Sequence, residues 1–587
     1  MFGFYGKLLR VNLSEEESLV EDISTEVLKT YLGGKGLGSY LLLKNVGANI
    51  EPLSPGNKLI FTTGNAAGTH MWGSSRYGVF TRSPLTGLYA ESYSGGKVAP
   101  AIKGTGYDAI ILEGQAKRHV YLEISDTGVR FHNASHLWGK DTYSTEDSVL
   151  KETGVKGAQA VVIGPAGENK VRYACIENNY WRSAGRTGVG AVLGSKNVKA
   201  LVFHGVAKAQ LANPQMLKEY VNELKDLAKD HPAVKAYKTY GTTMMVSMMN
   251  EAKCFPTKYW SKNQFAGWKN ICGETFVETQ DVRPKACPQC MMACGKLTTV
   301  KSGRHAGLKL EGPEYETIYS FGGLCCIDRL DEIIYLNDLC DRLGLDTITA
   351  GNLVALIMEA SERGLIEYNL KYGDAVGAAS LLKKIVSREG IGEILAEGIK
   401  IASKELGLSD LAIHVKGLEP PGYDPRVLKG VGLGYATSAR GACHLRATFY
   451  KPELSGMIDP QIIEDKAKLY IDYENRLTIF NTQILCVFYR DLIQWPNLAT
   501  LVEATTGLKY TEQEFNRMAN NIIGLTRQFN INHGAGPQDD KLPKRLFDEP
   551  HKNVESNLTE SELNQMVLDY YKLRGWSERG IPSVLEI

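Results

Sequence analysis

The sequence has no long hydrophobic run and no recognisable export signal. No apolar stretch approaches the ~18–20 residues that a membrane-spanning helix requires. The first residues, MFGFYGKLLRVNLSEEE, lack a basic segment followed by an apolar segment and a small-residue cleavage site. We therefore expect no membrane span and no export by a standard signal.

Neither positive nor negative charge is in excess. The formal net charge is +1 over 587 residues, so there is no surplus of Lys and Arg to displace counterions from a polyanion. This argues against a nucleic-acid partner. With 43% hydrophobic and 23% charged residues, the composition is that of an ordinary globular protein, and the length implies several domains.

The string GxxxxGK[ST] of a Walker phosphate loop does not occur. The glycine-rich segments 33–39 and 185–196 do not replace it, because the second is not followed by a clear βαβ unit. Taken alone, both are interpreted as tight turns in a β-rich domain.

Cysteine is present in an odd number, eleven, and most of the residues stand singly in apolar surroundings. This pattern fits reduced thiols in a cytoplasmic protein, where clustered cysteines are more often ligands than bridges. Three are clustered in ACPQCMMACGK: Cys287, Cys290 and Cys294.

A CxxCxxxC run can hold three corners of a [4Fe–4S] cubane whose fourth ligand is remote. A zinc site would more usually pair two CxxC or CxxH elements, and no second element is visible. Cys486 in NTQILCVFYRD is the best candidate for the remote ligand. Four others compete, although a buried apolar role is the simpler interpretation of each: Cys325, Cys326, Cys340 and Cys443. One cluster moves one electron at a time, so the sequence predicts a separate centre for two-electron chemistry and a protein redox partner.

The secondary structure that the sequence indicates changes near Gln210. Before it lie short β-type runs punctuated by Gly, Pro, Asn or Asp: GKLLRVNL, NKLIFTTG, YDAIILEG, HVYLEI, AQAVVIG and VKALVFHG. After it, apolar residues recur at three- and four-residue spacing, which indicates helices; in 330–366 we expect two, separated by Gly344 and capped at Asp346 or Thr347. The predicted fold class is α+β, with a β-rich platform at 1–207 followed by two mainly α-helical domains at 208–416 and 417–587.

Three further segments, 72–87, 91–100 and 183–197, interleave Gly and Ser with Arg. Loops of this composition present N–H groups and guanidinium groups to phosphates. Several in one domain predict a large cofactor that carries phosphate.

Together these motifs resemble the tungsten-dependent aldehyde:ferredoxin oxidoreductase family over essentially the whole chain. The most specific markers are SRYGVFTRSPLTG, SGG at 94–96, AGRTGVGAVLGSKN, CPQCMMAC, EGPEYET, DRLGLD and GYDPR…GYATSARGACH. That family binds one tungsten, or molybdenum in some relatives, between the dithiolenes of two pterins, with a [4Fe–4S] cluster alongside. The resemblance implies that the platform carries the pterins and that the helical domains enclose the metal and the cluster.

The resemblance also assigns cofactor contacts. Arg76 would lie between cluster and pterin. The phosphates and their bridging Mg²⁺ would be lined by Tyr93, Gly95 and Ala184, with Arg182 and Arg186 nearby. Tyr93 departs from a commonly seen Asn.

Two motifs would hold the pterin rings. In DxxGLD the residues are Asp341, Leu345 and Asp346, whose carboxylates accept hydrogen bonds from adjacent N–H groups. The second motif, DxxxLC, reads Asn481, Leu485 and Cys486, with Val487 beside it. It aligns Cys486 with the fourth cluster ligand. Asn481 departs from the expected carboxylate, and its amide carries no charge.

For catalysis the resemblance places Glu314 near the metal, with Glu316 in reserve, and His444 as hydrogen-bond donor to the substrate oxygen. Arg446 would reach a pterin. Whether Cys325 or Cys326 ligates tungsten is left open, since a thiolate ligand would alter its reactivity.

The leading functional hypothesis is oxidation of an aldehyde to its acid, with ferredoxin or a partner Fe–S subunit as electron acceptor. One alternative is reductive dearomatisation of an aromatic thioester, as in the tungsten subunit of class II benzoyl-CoA reductases, which favours a Cys ligand on tungsten. Another is a non-catalytic electron-relay subunit with a cluster and no pterin. The aromatic-rich loops 254–265 and 443–454 hint at an apolar or aromatic substrate. The oligomeric state is open, with a homodimer among the options.

Overall fold

A computed structural model describes residues 1–583, which begin with a platform of two six-stranded mixed sheets. The platform strands are β1 (Lys7–Asn12), β2 (Glu17–Asp22), β3 (Leu59–Thr63), β4 (Tyr77–Arg82), β5 (Tyr89–Ser94), β6 (Ala109–Glu113), β7 (Val120–Ser125), β8 (Gly128–Asn133), β9 (Gln159–Val162), β10 (Ile176–Asn178), β11 (Arg182–Ala184) and β12 (Val198–Phe203). The first sheet has the order β2-β1-β6-β3-β4-β5 and the second β11-β10-β9-β12-β7-β8. Each contains one parallel pair, β1 with β6 and β7 with β12.

The six β-type runs of the sequence all form strands: β1, β3, β6, β7, β9 and β12. Strand β3 is buried along its whole length, as expected for a continuous apolar run covered on both faces. The platform helices are α1 (Thr25–Tyr31), α2 (Gly34–Asn45), α3 (Val98–Gly104), α4 (Thr142–Thr153), α5 (Pro165–Glu168) and α6 (Val189–Ser195).

The interpretation of 33–39 as a tight turn is wrong, because helix α2 begins there. Gly34 has φ +48°, and a Cβ on it would lie 2.2 Å from the carbonyl oxygen of Asn481. The glycine therefore lets the backbone of a distant segment pack directly against the start of α2. In 185–196 the backbone likewise enters a helix, α6, after Gly188 at φ +79°.

The remainder of the described chain is mainly helical. Its helices are α7 (Pro214–Lys229), α8 (Pro232–Tyr240), α9 (Met245–Glu251), α10 (Gly273–Thr279), α11 (Tyr315–Thr317), α12 (Leu330–Leu343), α13 (Thr347–Glu362), α14 (Ala375–Ser387), α15 (Ile391–Leu395), α16 (Ile399–Glu405), α17 (Lys429–Thr437), α18 (Tyr450–Leu454), α19 (Lys466–Thr482), α20 (Trp495–Thr506), α21 (Glu512–Asn532), α22 (Arg545–Asp548) and α23 (Glu560–Leu573). A small antiparallel sheet, which the sequence did not predict, joins β13 (Asp281–Lys285), β14 (Gly295–Thr299) and β15 (Lys309–Glu311). Short 3₁₀ turns occur at Gly241–Met244, Trp268–Asn270, Val487–Tyr489 and Pro537–Asp539, and a π-helical turn at Ile318–Leu324.

The predicted helix pair is confirmed as α12 and α13. Gly344 ends α12 at φ +77°, and the side chain of Asp346 caps α13 by accepting a 3.0 Å hydrogen bond from the N–H of Ile348. These caps fix the turn that carries the DxxGLD motif.

The α+β class and the order of platform before helices are confirmed, with 43% helix and 14% strand. One buried apolar cluster includes Leu353 and Leu433, from both predicted helical domains. A second joins Leu37 of α2 to Phe480 of α19 and Ile522 of α21. The boundaries near 207 and 416 stay predictions. Within residues 1–583, no helix combines the length and apolar character needed to cross a membrane.

Candidate functional site

Two cavities lie side by side where the platform meets the helices. The thiol cavity, of about 300 Å³, is lined by Cys287, Cys290, Cys294 and Cys486 among others. The central cavity, of about 370 Å³, is lined by both platform and helical residues, including His444. Six residues belong to both linings: Arg76, Tyr93, Ser183, Glu314, Cys486 and Phe488. The two cavities therefore share a wall.

Two segments far apart in the chain supply the four thiols. The first three come from the loop between β13 and β14, and Cys486 follows α19 at the start of a 3₁₀ turn. The backbone N–H of Cys486 donates to the carbonyl of Gly73 at 2.9 Å, which fixes that segment to the platform. No three His, Cys, Asp or Glu side chains in residues 1–583 converge on a single ion position. What the four thiols share is the lining of one cavity.

Platform groups contact the thiols directly. The N–H of Gly96 donates to Cys287 Sγ at 3.4 Å. A Cβ on Gly95 would lie 3.2 Å from both Cys287 Sγ and Arg76 Nη1, so glycine permits that approach. From the helical side, the hydroxyl of Tyr489 donates to Cys290 Sγ at 3.4 Å. Donors of this kind lower the charge density of cluster sulfurs and tune their potential.

Arg76 lines both cavities, and its guanidinium donates to the carbonyl of Tyr93 at 3.4 Å; its place between cluster and pterin stays a prediction. Burial raises the pKa of the Cys486 thiol, and Arg76 offsets part of that rise. Arg182 lines the thiol cavity and pairs with Glu311. The positive charges of these two arginines favour thiolates in the cavity.

Several guanidinium groups border the central cavity. Arg186, Arg440 and Arg446 all line it. The Nε atoms of Arg440 and Arg446 are buried without a hydrogen-bond partner. Buried donors without acceptors are rare in proteins, and here they border a cavity. They fit an anionic group such as a cofactor phosphate.

Glu91 is the buried carboxylate that organises this cationic wall. It accepts from Lys35 Nζ at 3.1 Å and also from Arg446 and the hydroxyl of Tyr93. Burial alone would raise the pKa of Glu91, but Arg446, Lys35 and Arg440 together hold it at about 2. The carboxylate is therefore charged and fixes the arginines in place.

The predicted phosphate and Mg²⁺ contacts are divided between the cavities. Tyr93 lines both, Gly95 lines the thiol cavity, and Arg186 lines the central cavity. Ala184 is fully buried in β11 and lines neither, although its neighbours Ser183 and Gly185 line the central one. The Mg²⁺ site stays a prediction.

The two predicted pterin motifs differ in placement. Asn481, Leu485 and Val487 line the central cavity, whereas Asp341, Leu345 and Asp346 lie behind its wall and line neither cavity. The carboxylate of Asp346 accepts from Arg186 Nε at 3.1 Å and from Thr349 at 2.9 Å. Asp346 is therefore linked to the central cavity only by its contact with Arg186, which lines it.

Asp341 shares its buried surroundings with Glu177. Burial and the charge of Asp341 raise the pKa of Glu177 well above its ordinary value. Burial and the charges of Asp338 and Glu311 raise the pKa of Asp341. One oxygen of Glu177 has no hydrogen-bond partner. Two neighbouring buried carboxyls with a free acceptor suit the N–H groups of a pterin ring.

The candidate acid/base residues converge on the central cavity. Glu314, Glu316 and His444 all line it, but they are not equivalent. Glu314 precedes α11 and accepts from the hydroxyl of Thr242. Glu316 lies within α11, and its Oε1 is 3.6 Å from His444 Nε2. Of the two glutamates the reserve candidate, Glu316, is the partner of the histidine.

Burial sets the protonation of this pair. It raises the pKa of Glu316 to about 8, although the N–H of Gly422 and the charge of Arg186 oppose the shift. Burial, reinforced by Arg440 and Arg186, lowers the pKa of His444 well below its ordinary value. Near neutral pH the imidazole is therefore uncharged, and the proton resides on the carboxyl.

The competing cysteines do not reach the cavities. Cys325 is fully buried and its thiol is 3.4 Å from the carbonyls of Ser320 and Gly351. Cys326 contacts the carbonyl of Gly323 at 3.8 Å. Neither borders the central cavity, whose lining contains Cys486 as its only cysteine among residues 1–583. Cys443 is buried against Arg440 Nη2 at 3.0 Å.

Aromatic rings wall the region around His444. Tyr423 and Tyr450 stack at 4.1 Å between ring centroids, and His444 lies 5.3 Å from Tyr423. The two aromatic-rich loops divide: Tyr450 of 443–454 lines the cavity, whereas no residue of 254–265 does. The aromatic residues of 254–265 belong to the buried core.

Sequence reasoning missed several residues of the site. Glu91, Glu177, Lys35 and Arg440 all contact or flank predicted residues. Lys35, Glu91 and Arg440 stand in or beside segments singled out in the sequence, whereas Glu177 does not, and no spacing rule links any of the four to its partners. Arg440 and Glu91 carried the clearest signal, because both lie in the marker segments.

Comparison with known proteins identifies the family of the chain. The family model of the aldehyde ferredoxin oxidoreductase N-terminal domain matches residues 8–205, and that of domains 2 and 3 matches residues 219–585. A tungsten-containing aldehyde ferredoxin oxidoreductase of Pyrococcus furiosus is 37% identical over 99% of this chain and 97% of its own. The corresponding protein of Thermococcus kodakarensis is 36% identical with the same coverage.

Two relatives are less similar in sequence. The aliphatic sulfonate oxidoreductase WOR-like subunit of Pyrococcus furiosus is 29% identical over 99% of this chain and 96% of its own. The solved active-site complex BamBC of benzoyl coenzyme A reductase, bound to 1,5-dienoyl-CoA, superposes with a TM-score of 0.87 at 25% identity, covering 99% of this chain and 96% of that one. The resemblance inferred from the sequence is thus confirmed, and the chain belongs to the aldehyde ferredoxin oxidoreductase family of tungsten oxidoreductases.

Proposed function

We propose that the protein oxidises an aldehyde to a carboxylic acid and passes the electrons to ferredoxin or a partner Fe–S subunit. The balanced reaction is R–CHO + H₂O → R–COOH + 2 H⁺ + 2 e⁻. The observation that carries the proposal is the Glu316–His444 pair, 3.6 Å apart, in a cavity that shares a wall with four thiols. That combination joins acid/base chemistry to an electron outlet.

The residues present fit the cofactors of the family. The orphaned guanidinium Nε atoms suit phosphates, and the buried carboxyls suit pterin N–H groups. A bound tungsten or molybdenum bis-pterin, with Mg²⁺ between its phosphates, would supply the two-electron acceptor. A [4Fe–4S] cluster held by Cys287, Cys290, Cys294 and Cys486 would supply one-electron transfer.

The protein's own residues position the substrate and move the proton. His444, neutral at physiological pH, donates its ring N–H to the aldehyde oxygen and orients the carbonyl. Glu316, once ionised, accepts at Oε1 the proton of the water that attacks the carbonyl carbon. Its unpartnered Oε1 is available for that contact, and a pKa of about 8 gives it the basicity to take a proton near neutral pH.

The aromatic walls of the central cavity favour an apolar or aromatic aldehyde as the substrate. The Tyr423–Tyr450 stack borders His444, so a flat side chain on the aldehyde can pack beside the donor. Among residues 1–583 the central cavity offers no cysteine beyond Cys486. This disfavours the benzoyl-CoA reductase alternative, which uses a thiolate on tungsten.

All eleven cysteines are free thiols, which supports a cytosolic location. The proposal is tested on protein purified anaerobically, with metal analysis and a viologen-reduction screen of aliphatic and aromatic aldehydes. We expect tungsten or molybdenum together with iron, and dye reduction that depends on aldehyde. Iron without the heavy metal would leave only an electron-relay role, and a tungsten sulfur count above four by X-ray absorption would favour the thioester reductase.

A further inference from the structure

A further cavity lies outside the two cavities discussed so far. It is an open groove of about 850 Å³. Its walls come from the loop 64–73, helix α3, the segment 205–211 and helix α7. Among residues 1–583 it shares no lining residue with the thiol cavity or the central cavity.

The floor of the groove is apolar and partly uncovered. Ala67, Leu211, Leu217 and Val221 contribute to it. Val206, at its edge, is 84% exposed, which is high for an aliphatic side chain. An apolar floor bordered by polar groups is the arrangement of a protein–protein contact.

The rim of the groove is basic. The ionisable side chains of its lining, apart from Tyr5, are Lys103, Lys208, Lys218 and His70, and no Asp or Glu lines it. Lys103 is neutralised by Asp108 at 3.0 Å. Lys208 and Lys218 are exposed and make no ion pair within residues 1–583. Two lysines without an ion pair thus face whatever enters, while the carboxylate of Asp126, outside the lining, accepts from the N–H of Val206 at 3.0 Å.

The groove is also close to the thiols, because the same two platform elements border both. Gly73 accepts from the N–H of Cys486, and His70 of the groove is three residues earlier. Gly96 donates to Cys287 Sγ at 3.4 Å, and Pro100 of the groove is four residues later. An extended chain spans at most ~3.6 Å per residue. The groove wall therefore begins within about 15 Å of each of these contacts.

We propose that this groove docks the electron-accepting protein, a small Fe–S protein with an acidic face. The inference rests on the proposed function, since it names the partner of the same cluster. Carboxylates of the partner meet Lys208 and Lys218 while its apolar side chains cover Val206 and Leu217. The acceptor's cluster is thereby brought towards the four thiols.

A second copy of this chain fits the groove less well. A two-fold contact would place the same basic rim on both sides, with lysine facing lysine. An acidic partner instead gains complementary charge, which speeds association and fixes orientation.

The test is the double variant Lys208→Glu/Lys218→Glu, assayed as holoenzyme with two acceptors. One acceptor is an acidic [4Fe–4S] ferredoxin, and the other is benzyl viologen, which needs no docking surface. We expect kcat/KM for ferredoxin to fall roughly 10- to 100-fold at low salt, with a weaker salt dependence than wild type. The viologen rate stays unchanged.

The matched control is Lys383→Glu/Lys404→Glu, which makes the same change of charge at exposed lysines on α14 and α16. An equal loss of ferredoxin turnover in the control pair, or unchanged turnover in the groove variant, would overturn the proposal. So would a groove variant that only changes the oligomeric state on size-exclusion chromatography.

Ferredoxin binding is also measured calorimetrically on wild-type and variant holoenzyme without aldehyde. We expect binding to wild type and weakened binding to the groove variant. Absence of aldehyde turnover with either acceptor would refute the proposed function and leave this binding result standing. Binding that is equal in both proteins would refute the docking site alone.

Discussion

Replacement of Glu316 by Gln tests which group moves the proton. The substitution keeps the size of the side chain and its hydrogen bond from the N–H of Gly422, but it removes the titrating carboxyl beside His444. With a pKa of about 8, Glu316 is only about one-hundredth ionised at pH 6 and about one-tenth at pH 7. If the ionised form is the base, wild-type kcat/KM rises about tenfold per pH unit from 6 to 7 and levels off above pH 8.

We assign the rise with pH to Glu316 and not to His444. The pKa of His444 is lowered well below its ordinary value, so the imidazole stays neutral and contributes no limb above pH 6. In Glu316→Gln we expect kcat/KM to fall by roughly 10²- to 10⁴-fold and to lose its rise with pH. The assay is anaerobic viologen reduction with a non-titrating aldehyde, normalised to tungsten content.

Glu314→Gln is the matched control, because that residue lies in the same cavity but accepts from Thr242 rather than facing His444. We expect the control to keep the rise with pH. A rise that survives in Glu316→Gln, or that vanishes in Glu314→Gln, would refute the assignment of the base.

Three further predictions concern the walls of the site. Glu91→Gln leaves Lys35 and Arg446 without their shared charge, and breaking such a buried pair costs about 3–5 kcal/mol; the cofactor-free variant should therefore unfold at a lower temperature in calorimetry, and an unchanged midpoint would contradict this role. Cys325→Ala should leave the tungsten-to-protein ratio and the tungsten sulfur count unaltered, because that thiol borders neither cavity; loss of tungsten in this variant would identify it as a ligand. Gly34→Ala puts a methyl group 2.2 Å from the carbonyl oxygen of Asn481 and so displaces the segment that carries Cys486. We expect folded protein with a reduced iron content. A full iron content would show that this close contact is dispensable.

Sequence reasoning could find the thiols because their chemistry leaves a local pattern. CxxCxxxC is a short motif, and the remote Cys486 is identified by the motif around it. Strands such as β3 and β12 can also be predicted from the sequence, because short continuous runs of β-branched and aromatic residues bounded by Gly or Asn are typical of buried strands. The cysteine motifs and these strands can be predicted because they are determined by residues close together in the sequence.

The rest depends on residues that only the fold brings together. Glu91 and Arg446 are 355 positions apart in the chain, and no periodicity connects them. The sequence also cannot show which of Glu314 and Glu316 faces His444, for a different reason. The two belong to one motif, but the helix begins at Tyr315, so the backbone turns between them and directs one towards Thr242 and the other towards His444.

Helix α2 shows the limit of glycine arguments. Three glycines in six residues favour a turn on propensity, yet the segment is helical because its glycines allow close packing. A Cβ on Gly36 would lie 1.9 Å from the carbonyl of Tyr31, and one on Gly38 would lie 2.5 Å from the ring of Phe80. Tertiary contacts therefore override the local preference.

The most direct test of the account is combined metal analysis and electron paramagnetic resonance of anaerobically purified wild type and Cys486→Ser. The account predicts about four irons and one tungsten or molybdenum per chain in wild type, with a reduced-cluster signal. In Cys486→Ser that signal should be lost or altered, because the cubane loses one of its four thiolates. A variant whose cluster signal and iron content match those of wild type would contradict the claim that Cys486 completes the cluster beside the central cavity.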